Sequence, residues 1–343
     1  MERGDHLPQV HLPIRANSRK SRLAIQPLAG CDDVPVRIHR AHSMLAISVV
    51  TPCLNAAGSI GQTMQSVINQ QDPALEYIVV DGGSIDGTQD VISRHLHDVA
   101  LYLTRPDGGQ YHAIQEGLRQ SSGDIQAWLN ADDIYFPWTL STVREIFESF
   151  PKIDWIIGIP THLNSRGQLI RVKASVPAYR SRDIREGWHR ANYAGYLQQE
   201  SMFWRRSLWE RAGGQLALAL RYAADFELWT RFAALAELHP VWAPLAGFRH
   251  RPGEQLSSRY RGEYEKEVES VCATKQPPPF LWRWGARRGV PCQMLIGMLH
   301  WARAPVVAYS HESGQWEVRS FRRSLVRESL SNLMLEWHLQ RRH

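Results

Sequence analysis

The sequence predicts an α/β protein with a doubly wound, mostly parallel sheet flanked by helices, and two observations predict it. The 343 residues are 43% hydrophobic and 22% charged, with 24 Gly and 19 Pro, the composition of an ordinary folded chain. Short β-branched runs alternate with helical apolar stripes four times between residues 45 and 129. Such alternation favours parallel strands joined by right-handed crossovers.

Leu45–Thr51 is the first strand, stopped by Pro52. Ile60, Met64, Val67 and Ile68 mark a helix within Ser59–Gln70. Glu76–Asp81 is a second buried strand, followed by Gly82-Gly83-Ser84. Asp86 and Gln89 have the spacing of a capping box for the next helix, which carries Val91, Ile92 and Leu96. Val99–Leu103 is the third strand, Gln110–Gln120 a helix ending at Ser122-Gly123, and Ile125–Leu129 the fourth strand. Beyond residue 150 the alternation loosens. A strand is expected within Asp154–Ile159, a hairpin over Thr161–Lys173 turning at Ser165-Arg166-Gly167, and helices over Arg206–Ala212 and Tyr222–Leu235.

Three parts follow: a poorly ordered polar leader over 1–43, a catalytic-type domain over 44–275, and a basic extension over 276–343. The run at Pro277–Pro279 ends the middle part, because prolines continue neither a helix nor a central strand. In the extension, Val318, Phe321, Leu325, Leu330, Leu333, Met334 and Trp337 recur near helical spacing between arginines, so a helical extension is expected.

Composition also excludes. No window supplies the roughly 20 apolar residues of a membrane span, and the leader lacks the order of a secretory signal, so a cytoplasmic protein is expected. Cys31, Cys53, Cys272 and Cys292 form no CxxC pair, which argues against a zinc site or a disulfide framework. The net charge of +6 is carried by the two ends, while the middle is acidic, which argues against a nucleic-acid cleft. The basic, Trp-bearing extension (Trp282, Trp284, Trp301, Trp316, Trp337) admits peripheral contact with an anionic membrane, or packing of its apolar face on the domain.

In an open parallel sheet, ligands bind beyond the carboxyl ends of the strands. Those ends carry Thr51-Pro-Cys-Leu-Asn55, Asp81-Gly-Gly-Ser84, Arg105-Pro-Asp-Gly-Gly109 and Asn130-Ala-Asp-Asp133. Carboxylates gathered at one edge repel, so they need a cation or hydrogen-bond donors. A divalent metal with a phosphorylated ligand suits them, since Mg²⁺ or Mn²⁺ takes one or two carboxylates and completes its shell with phosphate oxygens and water. Asp81 suits ribose hydroxyls or base amides. Taken singly, each Asp-Gly also reads as a turn, and the acid pair as a solvated helix start.

In order and spacing over about residues 45–255, Thr51-x-x-x-Asn55, Asp81-Gly-Gly-Ser-Ile-Asp-Gly-Thr88, Arg105-Pro-Asp-Gly-Gly-Gln110 and Trp128-Leu-Asn-Ala-Asp-Asp133 resemble family 2 glycosyltransferases of the GT-A fold. The resemblance implies an enzyme moving a sugar from a nucleotide-diphosphate donor to a hydroxyl of a glycan or lipid-linked acceptor, with inversion. It implies that Thr51, Asn55, Asp81, Asp107 and Asp133 bind the nucleotide-sugar and that Asp132 binds the metal. Asp225, in Tyr222-Ala-Ala-Asp-Phe-Glu-Leu-Trp229, matches the general base, with Glu227 as its local rival. Gln199 and Glu200 resemble an acceptor-side segment, a surface turn being the plainer reading. His250, in Phe248-Arg-His-Arg-Pro-Gly253, resembles a late segment where a histidine or basic group meets the metal or diphosphate. The chain departs from the pattern at Asn130, where a first acid is usual, at Ala224, at Gln115 in place of a frequent Asn, and in the order of His250 and Arg251. Two other classes stay open. A binding module with a decayed site draws on Asn130 and Ala224. A nucleotidyltransferase would want a basic loop after the first strand, and Cys53–Gly58 holds no Lys or Arg.

Overall fold

The computed structural model describes residues 44–106, 108–173, 179–190, 196–251, 259–272, 275–277 and 305–320. The leader, Asp107, and the extension over 278–304 and 321–343, including Trp282, Trp284, Trp301 and Trp337, lie outside the described residues.

The four expected strands form as β1 (Ile47–Cys53), β2 (Leu75–Asp81), β3 (Leu101–Thr104) and β4 (Ile125–Trp128), all parallel, in the spatial order β4-β1-β2-β3. Between them run α1 (Ile60–Ile68), α2 (Thr88–Ser93) and α3 (Gln110–Gln120). The chain continues through β5 (Ile134–Tyr135), α4 (Thr139–Ser149), β6 (Trp155–Ile157), β7 (Thr161–Leu163), β8 (Leu169–Val172) and α5 (Ser181–Arg185). It then forms β9 (Met202–Arg205), α6 (Arg206–Arg211), α7 (Ala224–Leu235), β10 (Leu238–Pro240), β11 (Ala246–Arg249) and α8 (Arg261–Cys272). The main sheet has seven strands in the order β10-β6-β9-β4-β1-β2-β3. Only β9 runs against its neighbours, between β6 and β4. A second sheet, β5-β11-β7-β8, includes the expected hairpin of β7 and β8, turned at Gly167 with φ of +78°.

Side chains alternate across a strand, so the main sheet carries two cores. Ile47, Val49, Tyr77, Val79 and Ala127 face α1 and α4, where they meet Ile60, Met64, Val143 and Phe147. Val50, Ile78, Val80 and Trp128 face the other way, against Ile114 and Leu118 of α3 and Leu228, Trp229 and Phe232 of α7. Burial on both faces explains why these strands read as continuous apolar runs.

Two expectations are corrected. The capping box does not form: α2 starts at Thr88 after Gly87, and Gln89 turns its amide to Asp81, Ser84 and Thr104. The basic extension is not helical where it is described. Pro305–Ser310 (β12) and Gln315–Ser320 (β13) form an antiparallel hairpin, which puts Val318 on a strand. The hairpin is part of the domain: Val307 bridges Val241 and accepts from Trp242 N at 2.8 Å, and Trp316 donates to Glu145 at 3.1 Å. Trp316 is therefore engaged by protein. Among the described residues no helix is long and apolar enough to cross a membrane.

Candidate functional site

The carboxyl ends of β1 to β4 share one edge of the sheet, and the loops leaving them are stitched together. Asn55, with φ of +50°, donates its backbone N–H to Ser84 Oγ at 2.8 Å and accepts from Ile85 N at 3.0 Å. Ala56 N reaches Thr88 Oγ1 at 2.7 Å and Ala57 N reaches Asp86 at 3.1 Å, so both residues hold the β1 loop. Asp81 is fully buried and accepts from Ser84, Gln89 Nε2 and Thr104 Oγ1, the last two at 3.0 Å. A buried carboxylate needs such donors, and here they anchor the Gly82-Gly83 turn. Gly83, at φ of +87°, is required there twice over, since a Cβ would also lie 3.3 Å from Pro106 N. Thr51 is fully buried, with its hydroxyl 3.0 Å from Tyr77 Oη.

At the β4 end the acids divide. Asp133 is buried, accepts from Arg249 N at 3.0 Å and is held near Asn130 Nδ2; burial, then Asp132 and Glu200, push its carboxyl well above the ordinary range. Asp132 is partly exposed and paired with Arg251 at 3.0 Å. His250 sits 2.9 Å from His162, ring against ring, while its neighbours meet the acid pair: Arg251 bonds Asp132, and the buried Arg249 lies within electrostatic reach of both acids.

Gln199 and Glu200 are not on a surface turn. The antiparallel β9 starts at the carboxyl edge of β4, and the turn feeding it delivers both residues, buried, to the acid pair. Gln199 donates to Trp128 O at 2.7 Å and accepts from Asn130 at 3.2 Å. Asn130 in turn accepts from Gln110 at 2.7 Å, which gives the departure from a first acid a job. Glu200 is 3% exposed, with no hydrogen-bond partner for Oε1 among the described residues, and burial, with Asp132 adding, raises its pKa to about 8.

Asp225 lies in the first turn of α7, half-buried, its pKa raised chiefly by burial. Oδ1 accepts from Phe226 N at 2.8 Å and from Tyr111 Oη at 2.9 Å. Glu227 is gripped by Arg231 through paired bonds of 2.9 Å and 3.0 Å. Gln115 ties α3 to the loop at Gly214 and Leu216. The sequence reading missed Tyr111, which its spacing marks only as core, and Gln89, whose capping spacing pointed elsewhere. The adjacent residues Gln110 and Tyr111 touch Asn130 and Asp225, so the first turn of α3 joins the acid pair to the half-buried carboxylate.

Residues 48–211 match the family model described as glycosyl transferase family 2. An uncharacterized glycosyltransferase of Nostoc sp. is 30% identical over 124 residues, 35% of this chain and 37% of that protein. The poly-beta-1,6-N-acetyl-D-glucosamine synthase of Staphylococcus epidermidis is 26% identical over 129 residues, 37% of this chain and 31% of its own length. The matches thus span about a third of these curated relatives. Among solved structures, S. aureus TarS 1–349 in complex with UDP-GlcNAc superposes with a TM-score of 0.53 at 16% identity, covering 74% of this chain and 73% of TarS 1–349. The mannosyltransferase PcManGT from Pyrobaculum calidifontis, in complex with GDP-Man and Mn²⁺, gives 0.50 at 19% identity, covering 75% and 76%. At such identities the likeness is one of fold.

Proposed function

Because this chain belongs to glycosyl transferase family 2 through residues 48–211, we propose that it moves a sugar from a nucleoside-diphosphate donor to a hydroxyl of a glycan or lipid-linked acceptor, with inversion. The observation that carries this reading is that adjacent residues of α3 reach both sides of the site, Tyr111 bonding Asp225 and Gln110 bonding Asn130 beside the acid pair. A half-buried carboxyl with raised proton affinity suits a general base, which typically contributes roughly 10²–10⁴ in rate. The acceptor hydroxyl loses its proton to Asp225 as its oxygen attacks the anomeric carbon, and the nucleoside diphosphate leaves from the opposite side. The nucleoside is assigned to Asn55, Asp81 and Asp107; Gly83 and the Asp81 hydrogen bonds hold the loops of the first two together.

The donor set fits Mn²⁺ or Mg²⁺. Carboxyls concentrate at the β4 end, with Glu200 Oε1, unpartnered among the described residues, beside them, and oxygen donors suit a hard cation. Among the described residues no three His, Cys, Asp or Glu side chains are placed to hold a metal ion together, so the fit is to an ion held by Asp132 and completed by diphosphate oxygens. Once bound, the ion would neutralise charge developing on the leaving diphosphate. Arg251, beside Asp132, adds a permanent positive charge there, and His250 is left to the imidazole pair with His162.

Thermal shift against nucleoside diphosphates and nucleotide-sugars, with and without Mn²⁺, tests the reading. A ligand at about 100 times its Kd adds roughly 2.7 kcal/mol of stability. Asp132→Ala is expected to abolish the metal-dependent shift, and equal donor affinity in wild type and variant would sink the metal assignment.

A further inference from the structure

Asp225 is held by two elements that approach from opposite ends of the sequence. From α3, Tyr111 places its hydroxyl 2.9 Å from Asp225 Oδ1 and 3.0 Å from Tyr222 O, so one phenol spans the residue and the start of its helix. From α8, Glu267 accepts the backbone N–H groups of Arg221, Tyr222 and Ala223 at 2.9, 2.8 and 2.9 Å. These are the three residues that lead into α7, so Glu267 satisfies donors that would otherwise be orphaned at a helix start. Apolar packing reinforces the grip: Val268 is buried with Ala223 and Phe226, and the rings of Tyr222 and Tyr260 stack 5.0 Å apart. The contacts are directional. Tyr111 and Phe226 N both occupy Oδ1, and among the described residues no hydrogen bond to Oδ2 is found.

We propose that Tyr111 and Glu267 are positioning residues for the base: together they clamp Asp225 between α3 and α8 so that Oδ2 faces the acceptor hydroxyl. The proposal rests on the assignment of Asp225 as general base. It gives α8, which lies beyond the residues matched to the family model, a part in catalysis without contact to substrate. Because Gln110, next to Tyr111, bonds Asn130 beside the acid pair, the same helical turn sets the spacing between the donor side and the base.

The ionisable groups facing Asp225 are Tyr111 from α3 and Tyr264 and Glu267 from α8, and they act on it with different signs. Tyr111 stays protonated, since burial and the Asp225 charge raise it well above the ordinary phenol range, and its donated bond favours the charged carboxylate. The Glu267 charge disfavours it. Removing the Tyr111 hydroxyl therefore raises the pKa of the base, and removing the Glu267 charge lowers it.

The experiment measures pH profiles of kcat, donor Kd and thermal stability for wild type, Asp225→Asn, Tyr111→Phe and Glu267→Gln. Tyr111→Phe is expected to keep the donor Kd, lower kcat roughly 10- to 100-fold through misplacement of the base, and move the acid limb to higher pH. Glu267→Gln is expected to lower kcat with the acid limb moved to lower pH. A merely structural role lowers kcat at every pH and leaves the limb in place, which overturns the proposal. If Asp225→Asn abolishes transfer while Tyr111→Phe keeps wild-type kcat and limb, the clamp falls and the base assignment stands. If Asp225→Asn still transfers, the base assignment falls and takes the clamp with it.

Discussion

The base proposed at Asp225 has to take a proton near neutral pH, which needs a raised proton affinity and a fixed direction, and at the residue scale Asp225 has both. Burial supplies the first, and Tyr111 with the backbone of Phe226 supplies the second. Asp225→Asn keeps the shape and the hydrogen bonds to Oδ1 but accepts no proton. Transfer is expected to fall by roughly 10²–10⁴, with the donor-induced thermal shift unchanged. Glu227→Gln is the contrasting variant. Its carboxylate is already committed to Arg231, whose guanidinium also bonds the carbonyls of Ala212 and Gln215. It should leave kcat unaltered and cost about 0.3–0.5 kcal/mol in a urea titration, the range of an i,i+4 pair. The Glu227–Arg231 spacing was readable in the sequence as an i,i+4 pair. Glu267, which caps the helix carrying the base from 44 or more residues away, was not readable, because no local pattern records a tertiary cap.

At the scale of elements, α3 is the member on which the rest converge. It packs on β1 so closely that a Cβ at Gly117 would clash with Val50 Cγ1. Two effects compete in Gly117→Ala. Helix propensity gains roughly 1 kcal/mol, while overpacking a buried contact costs about 1–3 kcal/mol. Val50 is fully buried in a strand paired on both sides and has nowhere to move, so overpacking wins. A lower urea midpoint at unchanged m-value is expected. The far end of α3 is secured by Glu76 of β2, which accepts from Ser122 N and Oγ at 2.6 and 2.8 Å and from Ser48 Oγ at 2.5 Å. Burial alone would raise the Glu76 pKa, but these bonds outweigh it and the net shift is downward. A lowered folded-state pKa means the contribution is present above the ordinary value of 4.5 and is lost as pH falls below it. Glu76→Gln should therefore be less stable than wild type at pH 7, with the gap closing as the medium is acidified. The parallel core of β1 to β4 was legible because strands buried on both faces are written as β-branched runs. β9 was not. Met202–Arg205 has the same apolar texture, but its insertion between β6 and β4, and hence the delivery of Gln199 and Glu200 to the acid pair, is a matter of topology.

At the scale of the whole molecule, the hairpin of β12 and β13 packs residues 305–320 against the catalytic-type domain. The sequence held its signal: two strand-like runs, Pro305–Ser310 and Gln315–Ser320, flank a turn at His311–Gly314, where Gly314 takes φ of +66°. The arginines that follow Val318 imposed a helical period on the reading and hid the alternation of Trp316 and Val318. Packing then decides. Val307 has no exposed surface and joins the core beneath α4 together with Val241 and Leu245, while Trp316 packs on that core and bonds Glu145 of α4. A segment so placed shares the domain's cooperative unfolding. Val307→Asp tests this in the full chain. Losing a buried valine costs about 1.5–3 kcal/mol, and an aspartate there must be desolvated or protonated besides, so a larger total is expected. The loss should appear as a lower midpoint of the single main transition, followed both by far-UV circular dichroism and by tryptophan fluorescence. If the hairpin were an independent appendage, the main transition would keep its wild-type midpoint, and only the signal of Trp316 would melt early.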